Sequence, residues 1–229
     1  MSRPLAAIVD YGIGNLFSVR RACEVVGLRA VIAAEPSLVR LADAVILPGV
    51  GAFHQAAAAL RDRGLDRAVR EAAAWGKPLM GICLGMQLLM SRSFEFGCHE
   101  GLGLIPGEVV RLQEGGPGER RVKVPHVGWN SISEPPGAVP LSRWFGSPLE
   151  GLTNGTTMYF VHSYRVEPRD RDVVLAVTTY GPETFVSCLW QGRVFACQFH
   201  PERSGPAGLS VYRRWAATWV RDGSLEKSA

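Results

Sequence analysis

Apolar positions follow two rhythms along this chain. Through the first half, short unbroken apolar runs alternate with longer stretches of helical periodicity, the pattern of a parallel sheet covered by helices on both faces. Residues 5–9 run without a polar break into Asp10-Tyr11-Gly12, as a strand buried on both sides and its turn would. Asn15 is placed to cap a helix reaching about Val26, with Gly27 as its stop. Residues 28–33 and 44–47 read as the second and third strands, the latter cut by Pro48-Gly49. The Ala-rich stretch 54–75 predicts helix broken near Gly64, and 78–82 a fourth strand followed by helix from Cys83 to about Met90.

From Leu104 onward the rhythm shortens. Residues 108–112, 158–161, 173–179, 185–190 and 194–198 read as strands with few helices between them, which predicts hairpins and an antiparallel extension of the sheet. Residues 113–121 and Pro135-Pro136-Gly137 read as loops, and no internal repeat is evident. A closing helix over 206–221 spaces Leu209, Tyr212, Trp215, Ala216 and Trp219 three and four apart, an apolar stripe that docks on the body. The fold class expected is thus α/β.

Composition changes this picture little. The chain has 229 residues, which favours one α/β domain over two at ~150 residues per domain. Charge is +4 and not gathered into a tract, so nucleic-acid binding gets no support. The opening residues do not form a signal peptide and no run approaches the ~18 apolar residues that span a bilayer, so a cytoplasmic protein with no membrane partner is expected. Five scattered cysteines, without a Cys-x-x-Cys pair, argue against both a disulfide framework and a zinc site.

One of those cysteines stands out. In Leu79-Met80-Gly81-Ile82-Cys83-Leu84-Gly85-Met86-Gln87 an apolar strand runs into a Gly-x-Cys-x-Gly turn and then a helix, the layout of a nucleophile elbow. Glycines at 81 and 85 let backbones approach closely, the helix start favours thiolate, and the Leu84 N–H can meet an oxyanion. Of His54, His99, His126, His162 and His200, the last is the best base, because it follows a strand-like run in Gln198-Phe199-His200-Pro201-Glu202. With Pro201 holding the segment extended, Glu202 points to the same side as His200 and can fix its tautomer. Leu47-Pro48-Gly49-Val50-Gly51-Ala52-Phe53, a strand ending in glycines, can supply the other half of an oxyanion hole.

These segments, with Tyr11-Gly12-Ile13-Gly14-Asn15-Leu16, Lys123-Val124-Pro125-His126-Val127-Gly128-Trp129-Asn130 and Tyr159-Phe160-Val161-His162-Ser163-Tyr164, resemble the triad (class I) glutamine amidotransferases. Within that group the resemblance is closest to the glutaminase subunits of imidazole glycerol phosphate synthases. It covers residues 8–205. It implies a flavodoxin-like fold and one amidotransferase domain over 1–229, with no cofactor and no metal. Carried over by motif, Cys83, His200 and Glu202 form the triad, with Val50, Gly51 and Leu84 around the oxyanion. Gly49, Gln87, Glu95, Ser163 and Tyr164 contact the substrate glutamine. The resemblance further implies that ammonia passes to a separate (β/α)₈ cyclase subunit in a heterodimer, the chain being too short for a second catalytic domain. Trp129, Asn130, Tyr159, His162 and Arg203 are then interface candidates, and the Val50-Gly51 peptide is expected to turn when that partner is ligated. Two positions depart from the family pattern: Arg203 stands for the usual Lys and Val127 for Met.

Three alternatives compete. A glutaminase subunit of another pathway, such as anthranilate formation, shares the triad but not Val-Pro-His-x-Gly-Trp-Asn. A free-standing cysteine hydrolase predicts turnover of peptides or esters without a partner, and a catalytically silent module predicts no rate change in Cys83→Ala.

Overall fold

A computed structural model describes residues 4–116, 121–137 and 142–221. Most of loop 113–121 and the start of the loop after Pro135 fall within it, while residues 117–120 lie outside the described residues. The first half forms β1 (Leu5–Val9), α1 (Leu16–Val25), β2 (Arg29–Ala33), α2 (Pro36–Leu41), β3 (Ala44–Leu47), α3 (Phe53–Asp62), α4 (Leu65–Ala74), β4 (Leu79–Ile82) and α5 (Leu84–Leu88). Then follow β5 (Arg92–Ser93), β6 (His99–Glu100), β7 (Gly107–Arg111), β8 (His126–Ile132), β9 (Thr156–His162) and β10 (Tyr164–Pro168). The chain ends with β11 (Val174–Tyr180), β12 (Glu183–Gln191), β13 (Val194–Cys197), a 3₁₀ turn (Pro201–Arg203) and α6 (Gly205–Arg221).

The main sheet has seven strands in the order β11-β12-β13-β4-β3-β1-β2. Pairing is parallel from β2 across to β13 and antiparallel from β13 to β11, so the sheet is mostly parallel with the expected antiparallel extension. Period-two alternation sorts each central strand between two cores. Ala7, Val9, Val45 and Leu47 face α3 and α4, packing with Phe53, Leu60, Leu65 and Val69. Ala6, Ile8, Ala44 and Ile46 face α1 and α6, packing with Val19, Cys23, Tyr212, Trp215 and Trp219. The aromatic stripe of α6 is therefore core, and Trp215 and Trp219 meet edge to face at 4.7 Å.

Local signals hold at several ends. Asn15 Oδ1 accepts the Ser18 N–H at 3.3 Å, and Gly64, at φ 64°, separates α3 from α4. Three readings need correction. Helix α2 was not legible, because its six residues span fewer than two turns. Strands β8 and β10 were also missed: β8 turns its apolar Val127 and Trp129 outward, and β10 is a five-residue alternation that ends in proline. Finally, β7 and β9 do not extend the main sheet: β10-β7-β5-β6 and β8-β9 form two small sheets of their own. No helix among the described residues is long and apolar enough to cross a membrane.

Candidate active site

Strands β4 and β13 lie side by side, and their carboxyl ends carry Cys83 and, three residues past β13, His200. The Cys83 N–H donates to the Cys197 carbonyl at 2.8 Å, which pins the elbow to the strand that leads to the base. Cys83 itself has φ 53° and ψ −109°, a left-handed conformation that costs a non-glycine residue ~1–3 kcal/mol and occurs chiefly at functional sites. The turn is possible because of Gly85, where a Cβ would fall 1.8 Å from the Leu47 carbonyl oxygen.

His200 Nδ1 lies 2.8 Å from Glu202 Oε1, with both side chains almost wholly buried. The contact forms for a different reason than an extended segment would give: residues 201–203 make a 3₁₀ turn that folds Glu202 back onto the ring. Burial by itself depresses the His200 imidazolium. The charges of Cys83 and Glu202 outweigh that and carry it up to about 10. His200 is then an imidazolium at neutral pH, with Nε2 buried and its charge favoured by Cys83 as well as by Glu202.

Cys83 opens onto a cavity of about 410 Å³ whose walls include Val50, Gly51, Leu84, Gln87, Glu95, Pro125, Val161, His162, Ser163, Tyr164 and Arg203. The other cysteines stay away from it: Cys23, Cys188 and Cys197 are buried with their thiols pushed up by burial, Cys23 to about 12, and Cys98 is exposed. Gln87 donates through Nε2 to the Tyr164 carbonyl at 3.0 Å and to Gln198 Oε1 at 3.1 Å. Its nitrogen is thus committed, which leaves its carbonyl oxygen for the cavity. Glu95 accepts the Phe53 N–H through Oε2 at 2.5 Å and so caps α3.

The oxyanion half is arranged otherwise than the sequence suggests. Gly49 is buried and is not part of the cavity wall; its carbonyl accepts the Leu84 N–H at 3.3 Å. The donor expected to meet an oxyanion is therefore occupied. The peptide that blocks it is Gly49–Val50, not Val50–Gly51.

The interface candidates divide. Trp129 is 59% exposed and meets Tyr159, its register partner across β8 and β9, edge to face, while the Arg203 guanidinium lies 4.3 Å over the Tyr159 ring. Trp129 is thus a surface residue and not core. His162, by contrast, is buried in the cavity wall, so it is no surface contact. Asn130 is half-buried and belongs to a relay with it. Ser131 N–H donates to Asn130 Oδ1 at 2.8 Å and Asn130 Nδ2 donates to the Thr179 carbonyl, which fixes the amide. His162 Nδ1 donates to the Tyr164 carbonyl at 2.9 Å, so its Nε2 accepts from His126 Nδ1 at 3.1 Å, and His126 Nε2 accepts from Asn130 at 3.3 Å. Burial holds both rings neutral, His126 at about 4 and His162 at about 3.

Sequence reasoning missed Gln198, which is fully buried and donates to Cys83 Sγ at 3.6 Å. It also missed the Val161 carbonyl, 3.7 Å from the same sulfur, and the pairing of His126 with His162. The only sequence signal was that Gln198 stands two residues before the base, just past the end of β13. Among the described residues no group of three or more His, Cys, Asp or Glu is placed to hold a metal ion.

An elbow cysteine, a carboxylate-oriented histidine on the adjacent strand and a backbone donor at a helix start are the parts of an acyl-transfer site. A family model described as glutamine amidotransferase class-I matches residues 7–217, and the chain belongs to that family. It is 47% identical over 214 residues to an imidazole glycerol phosphate synthase subunit HisH of Moorella thermoacetica, covering 93% of this chain and 94% of the relative. Subunits of the same name from Thermosynechococcus vestitus and Aquifex aeolicus are 43% and 45% identical, covering 95% and 89% of this chain and 98% and 92% of theirs. That identity and coverage place the chain within the HisH family. Among solved structures, PurLQS from Thermotoga maritima has a TM-score of 0.70 at 19% identity, covering 94% of this chain and 99% of its own, a likeness of fold.

Proposed function

We propose that this chain is the glutaminase subunit of an imidazole glycerol phosphate synthase. In this reading it hydrolyses the side-chain amide of glutamine and passes the ammonia to a cyclase subunit in the cytoplasm. The cyclase joins that ammonia with a phosphorylated ribulosyl nucleotide in histidine biosynthesis, yielding imidazole glycerol phosphate and an aminoimidazole carboxamide ribotide. The observation that carries the chemistry is the strained Cys83 in the wall of a cavity, beside a His200 held by Glu202 at 2.8 Å.

The Cys83 thiolate attacks the amide carbon, and the carbonyl π electrons move onto oxygen. The imidazolium of His200 protonates the departing nitrogen, the C–N bond breaks, and ammonia leaves a thioester on Cys83. His200, now neutral, takes a proton from water. The hydroxide formed attacks the thioester, and glutamate leaves as the thiolate is restored. Glu202 stabilises the imidazolium of His200 before ammonia leaves and again when a proton is taken from water. Gln87 offers its free carbonyl oxygen, and Glu95 its second carboxylate oxygen, to the substrate ammonium; Ser163 and Tyr164 line the same wall.

Oxyanion stabilisation requires a rearrangement. Turning the Gly49–Val50 peptide removes the Gly49 carbonyl from the Leu84 N–H and brings the Val50 N–H round, giving two donors where one was blocked. The turn changes ψ of Gly49 and φ of Val50, and Gly49, which carries no Cβ, is the residue that tolerates such a change. Removing one oxyanion donor typically costs ~10²–10³ in rate, so the chain alone is expected to be slow. Trp129, Tyr159 and Arg203 form the surface beside the cavity on which a partner would act. The Tyr159 carbonyl accepts the His200 N–H at 2.9 Å, which connects that surface to the base.

The test is glutamate release from glutamine by the purified chain, alone and with a cyclase subunit plus its nucleotide ligand. Slow release alone that rises strongly in the ligated complex supports the reading. Fast release by the chain alone, or no response to that partner, refutes it.

A further inference from the structure

The buried amide of Gln198 touches the sulfur that the chemistry needs and has no role in the triad itself. Its orientation is determined by its neighbours. The Tyr164 carbonyl can only accept, so the group facing it at 3.0 Å is the Gln87 nitrogen. The same nitrogen lies 3.1 Å from the Gln198 side chain, so the Gln198 atom there is its oxygen. The Gln198 nitrogen is therefore the atom 3.6 Å from Cys83 Sγ, and it donates. On another side of the sulfur stands the Val161 carbonyl, at 3.7 Å, which can only accept and so suits the neutral thiol. The sulfur sits between a donor that favours thiolate and an acceptor that favours thiol.

We propose that Gln198 is a positioning residue for Cys83: its side-chain amide holds Sγ toward the cavity, favours the thiolate, and links the sulfur to Gln87. This deepens the glutaminase reading and rests on it, since it presumes that Cys83 is the nucleophile. Hydrogen bonds in a chain polarise one another. A substrate ammonium donating to the Gln87 oxygen strengthens the Gln87 N–H that meets Gln198 Oε1, and this in turn strengthens the Gln198 N–H on the sulfur. Substrate arrival and nucleophile activation are thereby connected through two buried amides. Burial decides why this matters: with Gln198 fully enclosed, no water replaces its N–H when it is removed.

The test uses the full chain carrying Cys98→Ser, which removes the exposed thiol, and follows carbamidomethylation of Cys83 by iodoacetamide against pH, with mass spectrometry as readout. The titratable and charged groups around Cys83 are His200 with Glu202 behind it, Tyr11 past the end of β1, Cys197 on β13, and Glu95, His162, Tyr164 and Arg203 across the cavity; all are retained in every variant. Gln198→Met keeps the length and removes the donor. It is expected to raise the pH midpoint of alkylation by ~1 unit, equivalent to a ~10-fold slower reaction below the midpoint. Gln198→Glu keeps the shape, sets a carboxylate against the sulfur, and is expected to raise the midpoint beyond that of Met. It carries the test if Met disturbs packing, as judged by near-UV circular dichroism. With the partner present, both variants are expected to lower kcat and, through the loosened Gln87, raise KM.

Coincident midpoints in the parent and in Gln198→Glu overturn the role of Gln198, while an inactive Cys83→Ala leaves the nucleophile reading standing. Wild-type glutamate release by Cys83→Ala overturns both.

Discussion

Replacing Glu202 isolates the contribution of one buried carboxylate to the triad. The carboxylate makes a single bond, Oε1 to His200 Nδ1 at 2.8 Å, with side-chain exposures of 2% and 5%; Oε2 is buried and without a partner. A hydrogen bond to a charged group is worth ~1.5–3 kcal/mol net, and charge assistance makes it about twice a neutral bond. Glu202→Gln keeps an acceptor for Nδ1–H, and hence the tautomer, but loses the charge, so about half of that value goes. At ~1.36 kcal/mol per factor of ten, kcat/KM falls ~4- to 13-fold. Glu202→Leu loses the whole bond and falls ~13- to 160-fold. Because Glu202 is among the groups that raise His200 to about 10, both variants move the alkaline limb of the pH profile downward. The assay is glutamate release in the partner-activated complex, coupled to glutamate dehydrogenase, from pH 6 to 10. Glu202→Leu within twofold of wild type, or an alkaline limb that stays in place, refutes the assignment of Glu202 as the group that orients and charges His200.

Further outcomes follow from the same geometry. Cys83→Ala abolishes glutamine hydrolysis and Cys188→Ala, buried away from the cavity, does not; equal activity of Cys83→Ala and wild type sinks the nucleophile assignment. Gly85→Ala forces a Cβ to 1.8 Å from the Leu47 oxygen, so the variant loses its elbow, read as loss of activity with a Tm lowered by several degrees. His162 stays neutral in the folded state down to about 3, whereas the unfolded chain binds its proton near 6.5. Stability from this group is complete above pH ~6.5 and is lost as pH falls, at roughly 1 kcal/mol per pH unit between 6 and 4. Urea midpoints across that range should depend less steeply on pH in His162→Gln, and an unchanged slope counts against a neutral relay.

Much of this fold is legible in the sequence. Leu5–Val9, Ala44–Leu47 and Leu79–Ile82 are apolar on both faces, and only a covered parallel strand needs that. The elbow was legible because its Gly-x-Cys-x-Gly spacing is local, although the contact that demands Gly85 comes from Leu47 on the neighbouring strand. The mixed second half was harder. Strand β8 carries His126, Trp129 and Asn130, whose partners lie on β9 and at Thr179, so its alternation expresses a histidine relay and an exposed tryptophan more than a core. The state of the oxyanion segment was illegible for another reason. Whether the Gly49 carbonyl or the Val50 N–H faces Leu84 depends on two torsions, and either arrangement suits the same residues.

Cys83 and His200 follow adjoining strands, yet β13 is the last strand made and β4 precedes it by nine strands in chain order. As the chain leaves the ribosome, the elbow is present long before the strand that brings its base and carries the carbonyl holding the Cys83 N–H. A nascent or truncated chain ending before β13 has a nucleophile without a proton donor. In the glutaminase reading, such a chain releases no ammonia until the strand that leads to its base is in place.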